Sequence, residues 1–168
     1  MGDGECLNFL TESEIFSLFS NALGNAVEAS RNLEEAKRQI SIIVKRSGDL
    51  VSISVTNYYQ GELRFEDDLP VTTRPDPEDF HGYGLKSMRA IARKYGGRLK
   101  VKAEDGVFSL TIWLDGQSDA VENNKNPPIS RKEGPWAFLF LQVRAKINAA
   151  CAGMIVKNGD VGYNQKPV

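Results

Sequence analysis

The feature that most constrains the fold is a pair of predicted β-hairpins on either side of a helical segment. The first combines QISIIVKR and LVSISVTN, which are separated by Ser-Gly-Asp. The second lies in RLKVKAEDGVFSLTIWLD, with Asp105-Gly106 at its turn. Alternating apolar and β-branched residues indicate strands, and Asp-Gly favours a tight turn. Two hairpins without βαβ crossovers predict a mostly antiparallel sheet.

Two helices are predicted beside these hairpins. Thr11 and Glu14 form a T-x-x-E capping box in front of the first helix. The second helix is expected to start near Gly84 and to end at Tyr95-Gly96-Gly97, where glycine suits the C-cap. The preceding ECLNFL predicts a short strand, and GELRFEDDLPVTTRPDPEDFHGYG, with three prolines, predicts an irregular lid. The order indicates an α/β (α+β) two-layer sandwich, a mixed, mostly antiparallel sheet with helices on one face. The buried stripe of the first helix is predicted to contain Ile15, Leu18, Phe19, Ala22, Leu23, Ala26 and Val27.

Net charge, cysteine spacing and the apolar stretches limit the kinds of protein that this chain can be. The formal net charge is −1 and 26% of the 168 residues are charged, so no nucleic-acid partner is expected. Cys6 and Cys151 lie far apart and have no CxxC spacing, which favours a reducing, cytoplasmic location. No leader pattern is found at the N-terminus, and the longest apolar stretch is interrupted by Arg144 and Lys146. These features predict a soluble chain that does not itself contact a membrane.

The composition and periodicity of the sequence change near residue 116. Residues 1–116 alternate periodic segments with turns and are predicted to form one domain. Residues 117–134 are rich in Asn, Pro and Gly and resemble a linker. Residues 135–168 contain an apolar stretch that matches no known motif, so this tail stays unassigned.

The first helix carries polar residues on one of its faces. In SNALGNAVEAS, the side chains of Asn21, Asn25 and Glu28 follow steps of four and three and therefore line up. Asparagine is a mediocre helix former, because its amide competes for backbone hydrogen bonds. Two aligned asparagines followed by a carboxylate indicate a functional face.

A second polar pattern, His81-Gly82-Tyr83-Gly84-Leu85-Lys86-Ser87, opens the second helix. Glycines at a helix start let the backbone approach a phosphate, and the helix N-terminus supplies N–H groups and a positive dipole end. A flexible turn before a helix would explain the two glycines equally well.

The ordered combination of these patterns resembles the GHKL superfamily of ATPases, whose ATP-binding domain is known as the Bergerat fold. Over about residues 5–115, the sequence is most similar to the ATP-binding catalytic domain of sensor histidine kinases, in the peptide-pheromone (quorum-sensing) branch. The phrases that carry the resemblance are L-x-N-x-x-x-N-A-x-E-A, T-T-[KR] and H-G-x-G-L-K-S. The resemblance implies the Bergerat fold and binding of ATP.

The resemblance gives the polar face of the first helix a role. Asn25 would provide its carboxamide oxygen to Mg²⁺, and a solvated or capping amide is the alternative. Asn21 stands where hydrolytic relatives place a glutamate that activates water. An amide accepts no proton at neutral pH, so Asn21 would orient groups near the γ-phosphate instead. Glu28 would support the magnesium water shell or the fold, or would form a surface salt bridge.

The part of the sequence that would bind adenine departs from the common family pattern. Asn57 stands where most histidine kinases have the aspartate of D-x-G-x-G, and an uncharged acceptor forms a weaker hydrogen bond. The pheromone branch also uses asparagine here. On the last strand, Ser109 matches the position at which the family has a hydroxyl side chain. A serine that is simply exposed on the strand is the alternative.

The remaining candidate ligands of ATP lie in or next to the lid. Thr73 and Arg74 match the T-T-[KR] phrase, where a guanidinium can clamp phosphate, or they are solvated lid residues. Lys86 is a further phosphate candidate. His81, the single histidine of the chain, is interpreted as a lid-hinge residue, and Gly82, Gly84 and Leu85 of the same pattern are candidate ATP-binding residues.

The resemblance implies a catalytic ATP-binding domain that transfers a phosphoryl group from Mg-ATP to a histidine. Because His81 belongs to the glycine pattern, the phosphoacceptor histidine would come from another segment of a longer, membrane-anchored receptor or from another chain. A response regulator would then be a further partner. Two alternatives stay open, a degenerate nucleotide-binding interaction module and a stand-alone serine kinase of the anti-sigma-factor type.

Overall fold

The computed structural model describes residues 4–71, 83–117 and 155–156. No helix within these ranges is long and apolar enough to cross a membrane. Short 3₁₀ turns occur at Gly4–Leu7 and Glu35–Lys37. The helices are α1 (Glu12–Ser30) and α2 (Tyr83–Lys94), and the strands are β1 (Ile40–Ser47), β2 (Leu50–Tyr58), β3 (Arg64–Glu66), β4 (Leu69–Val71), β5 (Arg98–Glu104), β6 (Val107–Asp115) and β7 (Ile155–Val156).

Helix α1 begins at the predicted capping box. The Glu14 amide donates to the Thr11 hydroxyl oxygen over 3.2 Å, and the Thr11 amide donates to Glu14 Oε2 over 2.9 Å. These reciprocal bonds satisfy N–H groups that the first turn of a helix leaves without partners. The apolar stripe faces the core as its spacing predicts, with Ile15, Leu18 and Ala22 buried.

The main sheet has the strand order β5-β6-β2-β1-β7. Both predicted hairpins are present, β1 with β2 and β5 with β6, and β2 pairs antiparallel with β6. The turn of the second hairpin has positive φ at Asp105 (51°) and Gly106 (73°), as a type I′ turn requires. Strand β7, from the unassigned tail, pairs parallel with β1 through Ser41 and Ile42. The sheet is therefore mixed but mostly antiparallel.

The two faces of this sheet differ in polarity. Val55 lies opposite Leu110 and Ile42, and these side chains point to the face covered by α1 and α2. The opposite face carries hydroxyl pairs, such as Ser54 with Thr111 at 3.3 Å. The predicted α+β two-layer sandwich with its helices on one face is confirmed. The buried core side chains from the sheet are Ile40, Ile42, Val51, Ile53, Val55, Val101, Leu110, Ile112 and Leu114.

Helix α2 ends at the predicted glycines. The Gly97 amide donates to the Ala92 carbonyl over 2.8 Å, and the Gly96 amide donates to the Arg93 carbonyl over 3.1 Å. Gly96 adopts a φ of 61°. This pair of bonds with a left-handed residue is a Schellman motif, which stops the helix and turns the chain into β5.

The structure corrects the prediction of a strand at ECLNFL. Gly4–Leu7 forms a 3₁₀ turn, and the Leu10 amide donates to the Leu7 carbonyl over 3.0 Å. Leu7 and Leu10 are both buried. A strand would point residues three positions apart to opposite faces, whereas a turn with a three-residue period places both in the core.

The first part of the predicted lid is also more regular than expected. Strands β3 and β4 form a small antiparallel hairpin whose turn has positive φ at Asp67 (49°) and Asp68 (62°). Leu69 buries its side chain in the core, and Arg89 of α2 donates to the Asp67 carbonyl over 3.1 Å. This burial and this bond hold the hairpin against the domain despite its polar sequence.

Candidate functional site

The ends of several elements meet at one end of the sheet. The amide of Asp115, at the end of β6, donates to the Tyr95 carbonyl over 2.9 Å, so α2 ends beside the end of β6. The chain then turns back through β5, which packs against α2. Helix α2, about 18 Å long at 1.5 Å per residue, therefore begins toward the opposite end, where β2 finishes at Tyr58.

Helix α1 runs antiparallel to α2. Glu14 contacts Lys94 and Tyr95 at the end of α2, whereas the hydroxyl oxygens of Ser17 and Ser87 lie 3.2 Å apart nearer its start. The second half of α1 thus points to the same end of the sheet as the first turn of α2. We call this region, formed by residues 21–28, 57–58 and 83–86, the site end.

Asn21 lies between the two helices at the site end. Its Nδ2 donates to the Ser17 carbonyl over 2.8 Å and lies 3.3 Å from the Ser17 hydroxyl oxygen. Its Oδ1 faces Gly84, because a Cβ built on that glycine would lie 3.0 Å from this oxygen. The structure therefore brings together Asn21 and Gly84, which the sequence placed in separate patterns.

Asn25 lies one helical turn beyond Asn21, about 6 Å farther along the axis of α1. Its side chain is exposed, and that of Glu28 is half-buried. Since α2 begins at Tyr83, next to the Asn21–Gly84 contact, Asn25 continues the polar face of α1 past the N-terminus of α2. This position leaves its carboxamide available to a ligand.

Asn57 is a buried polar residue at the site end. Only 4% of it is exposed, and it lies on the helix-covered face between Ile40 and Phe108. Its Nδ2 donates to the Tyr58 carbonyl over 2.8 Å. Among the described residues, none donates a hydrogen bond to its Oδ1. A buried acceptor without a donor is costly, so this oxygen is a candidate ligand-binding atom.

Ser109 is not brought together with Asn57. It lies opposite Thr56 in the sheet, and the two hydroxyl oxygens are 3.4 Å apart. Because neighbouring residues of a strand point to opposite faces, Ser109 lies on the open face and Asn57 on the helix-covered face. The position of Ser109 does not support a role at the site end.

The residues of the glycine pattern differ in burial. Leu85 is buried in the core, whereas Lys86 is exposed with its Nζ 5.9 Å from the centre of the Tyr83 ring. Leu85 thus packs the start of α2 against the domain, and Lys86 is available to a phosphate. The remaining predicted ligands lie outside the described residues: Thr73, Arg74, His81 and Gly82.

A polar cluster that the sequence did not predict joins the helices at the other end. The hydroxyl of the fully buried Tyr95 donates to Glu14 Oε2 over 2.8 Å, and Lys94 Nζ lies 2.6 Å from Glu14 Oε1. We call Thr11, Glu14, Lys94 and Tyr95 the clasp. The sequence signalled Glu14 only as a capping residue, because its long-range partners are about 80 positions away.

The clasp changes the protonation behaviour of two side chains. Burial alone would raise the pKa of Glu14, but hydrogen bonds from Lys94, Thr11 and Tyr95 outweigh it and hold that pKa below its usual range. Burial, followed by the hydrogen bond and the charge of Glu14, raises the pKa of Tyr95 well above its usual value. The clasp therefore favours a carboxylate paired with a neutral phenol.

Comparisons with known proteins place this geometry in context. A family model described as GHKL domain matches residues 10–115. Among curated proteins, none matches the chain. The solved structures to which the chain shows similarity include the Acinetobacter baumannii histidine kinase AdeS, with a TM-score of 0.47 and 18% sequence identity. That similarity covers 63% of this chain and 47% of AdeS, so the chain spans less than half the length of that relative.

Proposed function

The chain belongs to the GHKL domain family, and from this premise we propose that its site end binds Mg-ATP. We further propose that the domain is the ATP-binding catalytic part of a histidine-kinase-like protein. The γ-phosphoryl group would pass to a histidine of another segment or another chain. Family membership confirms the GHKL resemblance of the sequence and supports ATP binding by a kinase-type domain.

One observation carries this proposal, the contact of Asn21 with Gly84 between antiparallel helices. It places the N–H groups of the first turn of α2 next to the turn of α1 that carries Asn25. A helix N-terminus attracts anions through these N–H groups and through the helix dipole. A triphosphate at this position would meet N–H donors on one side and the Asn25 carboxamide on the other.

The adenine base would take the buried end of the site. The Oδ1 of Asn57 lacks a donor among the described residues, and the 6-amino group of adenine supplies one. An unsatisfied buried acceptor costs about 1–3 kcal/mol, which a bound adenine would offset. Because an amide oxygen carries no net charge, its bond to adenine is weaker than that of an aspartate.

Mg²⁺ fits the site only together with phosphate. The described residues contain no group of three His, Cys, Asp or Glu side chains that would hold a metal ion. Asn25 offers one exposed, hard oxygen atom, and Mg²⁺ commonly combines one or two protein ligands with phosphate oxygens and water. When bound, the ion would neutralise charge on the triphosphate.

The residues of this chain would act mainly by positioning. Phosphoryl transfer requires placement of the donor and stabilisation of charge more than covalent chemistry by the protein. The first turn of α2 and Lys86 would stabilise phosphate charge. Asn21 offers no general base, because its amide donates to the Ser17 carbonyl and an amide accepts no proton at neutral pH. A phosphoryl group would therefore be held for an external acceptor.

Thermal denaturation with and without ATP and Mg²⁺ tests this proposal. At a hundredfold excess over the dissociation constant, ATP should stabilise the fold by about 2.7 kcal/mol. Asn25→Ala should leave the unliganded stability almost unchanged, since the residue is exposed on a helix, and should abolish the magnesium-dependent part of the stabilisation.

Asn8→Ala is the matched control, because Asn8 is another exposed asparagine and lies outside the site end. It should retain the full response to Mg-ATP. If millimolar ATP does not stabilise the wild-type protein, the kinase proposal is wrong and the interaction-module alternative is favoured. If Asn25→Ala retains its magnesium response, Asn25 is not the metal ligand.

A further inference from the structure

The carboxamide of Asn21 is held rigidly by its own helix. Nδ2 donates to the Ser17 carbonyl over 2.8 Å and lies 3.3 Å from the Ser17 hydroxyl oxygen, which in turn lies 3.2 Å from the hydroxyl oxygen of Ser87 on α2. These contacts leave little freedom to the amide plane. Its Oδ1 consequently points at a fixed place on α2.

That place is Gly84, where an added side chain would be in tight contact with Asn21. A Cβ on Gly84 would lie 3.0 Å from Oδ1, 3.2 Å from Cγ and 3.4 Å from Cβ of Asn21. The backbone of Gly84 is helical and has no positive φ, so alanine would suit its conformation. The neighbour that an added side chain would press against is therefore Asn21, and close helix–helix approach is a sufficient reason for this glycine.

We propose that Asn21 is a positioning residue that sets the distance between α1 and α2 at the phosphate-binding end of the site. This inference rests on the proposed binding of Mg-ATP at the site end. The contact lies beside the first turn of α2 and one turn before Asn25. It fixes how far the N–H groups of α2 stand from the Asn25 carboxamide, which is the gap that a triphosphate would occupy.

The choice of asparagine follows from the same contacts. The side chain at position 21 must donate to the Ser17 carbonyl and must also present a small planar group to Gly84. A glutamate could not donate at neutral pH, and its carboxylate would face the carbonyl oxygen with like partial charge. Position 21 is thus adapted to packing between the helices, and its lack of a general base is a consequence of that adaptation.

Variants at Gly84 and Asn21 test the proposal through rescue. Gly84→Ala places a methyl group against Asn21 and should push the first turn of α2 away, which raises the dissociation constant of Mg-ATP about tenfold. Asn21→Ala should weaken binding less. The double variant should bind within about twofold of Asn21→Ala, since the added methyl group then fills vacated space.

Two further measurements separate positioning from general damage to the fold. Adenosine lacks phosphates, so its affinity should change less than about twofold in Gly84→Ala, whereas loss of the fold would weaken adenosine and ATP together. Ala90→Ser is the control, because Ala90 lies on the same helix as Gly84 but is exposed and outside the site end. It should bind ATP like the wild type.

The proposal is overturned if Gly84→Ala weakens ATP binding by the same factor with and without Asn21. In that case the glycine serves direct approach of the backbone to the nucleotide. If even the wild type binds no ATP, the proposed function fails. The Asn21–Gly84 contact is then tested without ATP, by the denaturation temperatures of the wild type, the two single variants and the double variant. Non-additive shifts for the two substitutions support the spacing role of Asn21, and additive shifts refute it.

Discussion

Replacement of Tyr95 by phenylalanine would remove one hydroxyl group from the clasp and leave the packed ring in place. That hydroxyl donates to Glu14 Oε2 over 2.8 Å, and because Tyr95 is 0% and the Glu14 side chain only 12% exposed, water has little access to the carboxylate oxygen that loses its partner. A hydrogen bond to a charged group contributes about 1.5–3 kcal/mol. Because Glu14 keeps its bonds from Lys94 and Thr11, we expect the free energy of unfolding to fall by about 1.5–2 kcal/mol.

The size of this loss should depend on pH in a defined direction. The pKa of Tyr95 is raised from its ordinary value of 10.0, so folding favours the protonated phenol. Its contribution is fully present below pH 10 and is lost as the pH rises further toward the folded-state pKa. The pKa of Glu14 is lowered from 4.5, so its contribution is present above that value and is lost as the pH falls below it.

Urea denaturation followed by circular dichroism provides the measurement. The stability difference between the wild type and Tyr95→Phe should be constant from pH 7 to 9 and should shrink above pH 10. Tyr58→Phe, which removes a hydroxyl from an exposed tyrosine, should cost less than about 0.5 kcal/mol. A Tyr95→Phe loss no larger than this control, or a difference that grows above pH 10, would refute the account of the clasp.

Two other substitutions test the backbone packing at Gly97 and the backbone conformation at Asp68. A Cβ at Gly97 would overlap the Trp113 carbonyl oxygen and lie 2.6 Å from its carbon, so Gly97→Ala should lower the free energy of unfolding by about 3 kcal/mol or more. A Gly97→Ala protein with the thermal stability of the wild type would contradict this geometry. Asp68 has a φ of 62° in the β3–β4 turn, where glycine avoids left-handed strain, so Asp68→Gly should stabilise the protein by about 0.5 kcal/mol in urea denaturation. A loss of stability there would mean that the Asp68 side chain supports the turn.

Local signals in the sequence predicted the elements whose cause lies within a few residues. The capping box at Thr11, the Asp105-Gly106 turn and the glycine end of α2 depend on neighbours three to five positions away, and all three are present. The β3–β4 hairpin was missed, because its stability comes from burial of Leu69 and from a bond donated by Arg89 of α2. Neither of these long-range contacts is visible in the local sequence.

In the candidate site, too, local patterns were predicted from the sequence and long-range contacts were not. The polar face of α1 and the glycine pattern were recognised as separate patterns, and helix periodicity placed Asn21 and Asn25 on one face. The contact between Asn21 and Gly84 depends on how two helices pack, which no periodicity specifies. The face of Ser109 depends on strand pairing, since a shift of one residue would move its side chain to the other side of the sheet.

The antiparallel pairing of α1 and α2 has a consequence for synthesis of the chain on the ribosome. Ser17 and Ser87 are 70 positions apart, and Glu14 and Tyr95 are 81 positions apart. At about 5–20 residues per second, the ribosome needs roughly 4–16 s to deliver the second helix after the first. During that interval the apolar stripe of α1 has no helix to pack against, and the interval is long compared with the time in which a helix forms or a hairpin closes. Until then the newly made N-terminal half can cover the stripe of α1 only in part, by packing it on β2, so it keeps apolar surface exposed that favours aggregation and capture by chaperones.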